Sequence, residues 1–84
     1  MRQARMTRSD AFSATVTKHR EKLGLSRAAL ARQSGLHQTA IGLIERGERA
    51  PNLDTAHAIA QALGKSLEEL ISEAAKLVRS PRGK

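Results

Sequence analysis

The chain has 84 residues, a formal charge of +7, no cysteine and a single aromatic residue, Phe12. That length holds one domain, burying roughly 60–65% of its unfolded surface, and a chain without cysteine has no disulfide staple or thiolate metal site and fits a reducing cytoplasm. Apolar runs of only a few residues exclude a membrane span, and no apolar stretch follows the charged start, so neither anchor nor signal peptide is expected.

Residues 1–9 read as a flexible basic arm, with Arg2, Arg5 and Arg8. No segment alternates at period two, while Ala and Leu recur at three and four, so the sequence predicts an all-α domain of five helices over residues 10–79. Helix one runs from about Asp10 to Leu23, capped by Ser9, with Phe12, Val16, Arg20 and Leu23 on one stripe. Ser26 caps helix two, Arg27 to Ser34, and Gly35 stops it. Helix three spans about Gln38 to Arg46. Its stretch "SGLHQTAIGLIERGER" carries Ala40, Ile41 and Ile44 on one face and Gln38, Thr39, Gly42, Leu43 and Arg46 on the other. Asn52 caps helix four, whose apolar face is Leu53, Ala56, Ile59, Ala60 and Leu63. Ser66 and Glu69 form a capping box for helix five, which presents Leu67, Leu70, Ile71, Ala74 and Leu77 before Pro81. Residues 80–84 read as a basic tail.

Charge is unevenly distributed. Residues 18–49 carry net +4 and residues 76–84 another +4, whereas residues 50–75 carry −3. One basic flank and two basic ends point to a polyanion partner. Without an aromatic platform for stacking bases, duplex DNA is favoured over single strands or RNA.

The segment Arg27–Arg46 meets the steric demands of two crossing helices joined by a tight turn. Its fifth position is small (Ala31), its ninth is Gly35, and Leu30, Ile41 and Ile44 fill the wedge. Two charges, Arg20 on helix one and Glu45 beside Ile44, point toward the core, and burying either alone is costly. A partly buried Arg20–Glu45 salt bridge is therefore expected to tie helix one to helix three.

The elements "LGLS", "LA…SGL", "IERG", "P-x-L" and "ALG-x-SL-x-EL" resemble those of the XRE family, the phage Cro and CI repressor type, over about Val16 to Ile71. "GLH-x-T" followed by "ERGER" also resembles the small controller proteins of restriction-modification systems. The resemblance implies a lambda-repressor-like, five-helix DNA-binding domain that regulates transcription as a homodimer on a two-fold operator, with helix three in the major groove. Gln38 would then pair with adenine, and Thr39 and Leu43 would touch thymine methyls. Gly42 would let the helix backbone approach the DNA. Ser26, Arg27, His37, Arg46 and Arg49 would hold phosphates, and the arm would reach around the duplex. Dimerisation is expected through helix five, at Leu77 and Val78.

An enzyme, a cofactor, a metal or a small-molecule ligand is not expected. His19, His37 and His57 lack ligand spacing, and there is no nucleophile motif or phosphate loop. A cationic membrane-surface helix is disfavoured because the basic residues do not line one helix. The rival class is an antitoxin, which binds a toxin and represses its own promoter. Antitoxins often add a toxin-holding segment, where here only a short tail follows the core.

Overall fold

Five helices and no strand make up residues 6–78, the part of the chain that the computed structural model describes. They are α1 (Arg8–Lys22), α2 (Arg27–Ser34), α3 (Gln38–Glu45), α4 (Leu53–Ala62) and α5 (Leu67–Val78). The expected helices all form, with shifted ends. Thr7, not Ser9, caps α1. Its hydroxyl accepts from the Asp10 N–H at 3.0 Å, and the Asp10 carboxylate accepts from the Thr7 N–H at 3.2 Å. Aspartate three residues on thus completes a reciprocal box that Ser9 cannot form, and Arg8 and Ser9 join the helix instead of the arm. Residues 1–5, with the rest of the basic arm, and residues 79–84, with the basic tail, lie outside the described residues.

Each later start is capped as its sequence demands. Ser26 accepts from the Ala29 N–H, Asn52 from the Thr55 N–H, and Ser66 and Glu69 cap α5 reciprocally. Leu23, Leu53, Ile71 and Leu77 depart from their expected apolar faces. Leu23 is the C-cap of α1 and Leu53 the first residue of α4, and both lie largely in solvent. At helix ends the side chain no longer follows the stripe that the interior positions share.

The core collects Phe12 and Val16 from α1, Leu30 and Ala31 from α2, Ile41 and Ile44 from α3, Ile59 from α4 with Leu63 at its C-cap, and Leu70 and Ala74 from α5. Helix α1 is the backbone of this arrangement, packing on both α3 and α5. The buried Ser13 hydroxyl donates to the Ile44 carbonyl, satisfying one of the orphan acceptors at the end of α3. On the other side, Glu73 of α5 accepts from Lys18 Nζ at 2.6 Å and pairs with the buried His19 Nε2 at 2.8 Å. None of the sequence patterns indicated this α1–α5 tie.

Gly35 decides how α3 leaves α2. It adopts φ +77°, ψ +19°, the left-handed conformation that side chains disfavour, and its N–H closes on the Ala31 carbonyl. The Leu36 N–H shares that carbonyl at 2.9 Å. The chain therefore turns at once and lays α3 across α2, over Leu30 and Ala31.

Candidate nucleic-acid interface

Helix α3 has two working faces. Ile41 and Ile44 are sealed in the core, while Gln38 and Thr39 are exposed and Leu43 is half-buried. His37 holds the N-cap position without a side-chain cap bond and is exposed, so the first-turn N–H groups of α3 have no side-chain acceptor. Beyond the C-terminus the chain folds back. The N–H groups of Glu48 and Arg49 both point to the Leu43 carbonyl, at 2.9 and 3.2 Å, which sets the exposed Arg49 beside the end of α3.

Under the helix lies a carboxylate with two arginines. The Glu45 side chain is 1% exposed. Arg20 grips it as a fork, Nε to Oε2 at 2.7 Å and Nη2 to Oε1 at 3.0 Å, and spends Nη1 on the Leu25 carbonyl at 2.8 Å. One side chain thus joins α1, the α1–α2 loop and α3. Arg27, at the first position of α2, donates its Nε to Oε1 at 3.0 Å while 42% of its side chain stays in solvent. Burial alone pushes the Glu45 carboxyl up. The hydrogen bonds from Arg20 and Arg27 and the Arg20 charge outweigh it and hold the group below its ordinary 4.5.

The sequence offered Arg27 only as a phosphate contact, because an 18-residue separation carries no periodic signal. In the structure it is the third member of the Glu45 cluster, bound through Nε alone. Ser26, beside it, uses its hydroxyl oxygen as a helix cap, which leaves the hydroxyl proton for another acceptor.

Gly42 lies on the expected half of α3 but is covered. Its backbone is buried beneath the Arg46 side chain, which lies between it and the solvent. A β-carbon there would stand 3.2 Å from Arg46 Nη1. Arg46, expected with Arg49 to clamp the far strand, turns back along α3 and pairs through Nε with Glu48 Oε2 at 3.0 Å.

The two carboxylates that tie α1 to its neighbours, Glu45 on α3 and Glu73 on α5, are both held below their ordinary range. Hydrogen bonds from Lys18 and then His19 bring Glu73 down to about 2, and Glu45 lies below 4.5. Depressed carboxylates bind fewer protons folded than unfolded as acid is added. Their contribution is therefore complete above about pH 5 and lost as pH falls from 4.5 toward 2. Urea unfolding across that range should show falling stability, with a shallower slope in Glu73→Gln; identical slopes in the two proteins contradict the role of the Glu73 pairs.

Among the described residues no helix is long and apolar enough to cross a membrane, and no group of three metal-ligating side chains converges. Two helices crossed through a left-handed glycine, the second with one face buried and one polar face free, define a helix-turn-helix protein. Residues 17–70 match the HTH_3 helix-turn-helix family, and the chain belongs to that family, of the XRE type. It is 40% identical over 50 residues to an HTH-type transcriptional regulator of Methanothermobacter thermautotrophicus, covering 60% of this chain and 72% of that protein. It is 42% identical over 57 residues to the control protein C.SmaI of Serratia marcescens, covering 68% of each. The crystal structure of the restriction-modification controller protein C.AhdI from Aeromonas hydrophila matches with a TM-score of 0.71 at 34% identity, over 74% of this chain and 94% of that one.

Proposed function

We propose that this chain is a transcriptional regulator that binds duplex DNA as a homodimer, with α3 in the major groove of each half-site. The observation that carries the reading is the division of α3: Ile41 and Ile44 anchor it in the core while Gln38 and Thr39 stand in solvent. A major groove about 12 Å wide admits such a helix. Gln38 reads adenine, and Thr39 and the exposed part of Leu43 meet thymine methyls. Ser26, Arg27, His37 and Arg49 surround the helix as phosphate contacts, which set register. Similarity to proteins named as a transcriptional regulator and as a control protein supports the same reading.

Dimerisation is assigned to the end of α5, where Leu77 is 51% exposed; Leu53 and Ile71 line an apolar groove on another side of the same helix. Val78, expected to join Leu77, is half-buried and packs against the chain's own core. Selection from a randomised duplex pool tests the whole proposal. The bound sequences should be two-fold symmetric, with half-site centres about 34 Å apart, and Gln38→Ala should relax one A·T preference per half-site by about 1–3 kcal/mol. Equal affinity of the wild-type chain for every duplex is the result that rejects it.

A further inference from the structure

We infer that Arg46 is a base-reading residue, seated in the space that Gly42 leaves open and aimed by Glu48. This rests on the reading that α3 occupies the major groove. Gly42 lies on the half of α3 that faces away from Ile41 and Ile44, yet it is buried. What covers it is the Arg46 guanidinium: a β-carbon at position 42 would meet Nη1 at 3.2 Å and Cζ at 3.9 Å. Side chains on a helix lean toward its N-terminus, and Arg46, the C-cap residue, follows that lean until its head occupies the place of a residue-42 side chain. The guanidinium therefore lies against the reading face, one turn from Gln38, and does not reach past the end of the helix.

The pairing with Glu48 distinguishes a base edge from a phosphate. A phosphate contact draws on net positive charge, and a carboxylate 3.0 Å from Arg46 Nε cancels that charge and repels the phosphate. A guanine edge is uncharged and asks for two donors held in a fixed orientation, facing O6 and N7. With Nε committed to Glu48, the two terminal nitrogens form that pair. Residues 38 and 42 are four apart, about 6 Å along the helix axis, within two base-pair steps of 3.4 Å each. Gln38 and Arg46 thus address neighbouring positions in one half-site. Glycine at 42 gives the guanidinium its closest seat, since a β-carbon there would press it back by a few tenths of an ångström.

The test compares sites selected from a randomised duplex pool by the purified wild-type chain, Gly42→Ala, Arg46→Ala, Arg46→Lys and Glu48→Gln. Alanine is the better helix former, and an exposed ion pair adds little stability, so each variant keeps the fold. The wild-type site should contain one G·C pair per half-site whose preference falls about 5- to 150-fold in both Arg46 variants and weakens in Gly42→Ala, with the other positions unchanged. Glu48→Gln should bind all duplexes more tightly, with a steeper salt dependence, while that one preference declines. If Arg46→Ala instead weakens every sequence alike and lowers the salt slope by about 0.9 per protomer, Arg46 is a phosphate contact and the inference is overturned. A wild-type chain that enriches no sequence overturns the groove reading beneath it as well.

Discussion

Replacing Glu45 with alanine is expected to destabilise the domain by about 3–5 kcal/mol, the usual consequence of removing one partner from a buried ion pair. An 84-residue chain has only about 4–13 kcal/mol of total stability at the common per-residue range, so the variant should stand near the edge of unfolding. The size follows from what remains. Arg20 is 11% exposed and would keep its charge under α3 with the Leu25 carbonyl and, at 3.8 Å, the exposed Glu21 carboxylate as its nearest acceptors, while Arg27, with 42% of its side chain in solvent, can turn outward. The penalty is thus that of a stranded arginine and does not measure the worth of the pair. Joint replacement separates the two: Arg20→Met with Glu45→Leu removes both charges and keeps apolar volume, and should regain most of the loss. Urea unfolding of the two variants decides it. A loss below about 1 kcal/mol in Glu45→Ala would show that the cluster is not buried in solution.

The same residues show where a sequence is readable and where it is not. Local chemistry was legible: Ser26, Asn52 and the Ser66–Glu69 box announce helix starts because each cap acts within three residues of itself. The small residue at 31, the glycine at 35 and the three wedge residues were legible as well, since steric demands at fixed offsets leave few alternatives. The Arg20–Glu45 pair could be inferred because two charges on apolar stripes had to meet something. Charge pairs between residues distant in the chain were not legible. Arg27 with Glu45 and Lys18 and His19 with Glu73 join residues 18 and about 55 positions apart, and nothing in their spacing distinguishes them from ordinary surface charges. The cover over Gly42 was not legible for a related reason. Its neighbour on the helix face is a long side chain whose direction depends on Glu48, and periodicity reports where a side chain starts but not where it ends. Thr7 was missed although the signal existed, because aspartate at the third helical position serves the box as glutamate does.

Arg27 links the two kinds of residue, and its replacement should have the largest effect on binding. On the proposed reading its terminal nitrogens hold a phosphate while Nε stays on Glu45, so the guanidinium is fixed before DNA arrives and little rotamer freedom is lost on contact. A homodimer makes the contact twice. Each lost phosphate contact lowers the salt slope by about 0.9, so Arg27→Ala should reduce it by about 1.8 and weaken binding near 0.1 M salt by about 60-fold. Operator and unrelated duplex should weaken together, because the phosphate carries no sequence. Arg27→Lys sharpens the test. Lysine restores the charge, but its single ammonium cannot hold Glu45 and a phosphate with the separate donors of a guanidinium. Its salt slope should return to the wild-type value while much of the affinity does not. Titrations of labelled duplex at several salt concentrations read both quantities. Full recovery of affinity by lysine would mean that Arg27 acts as a plain charge and that its bond to Glu45 does not prepare the contact, while an unchanged slope in Arg27→Ala would place the DNA elsewhere on the molecule.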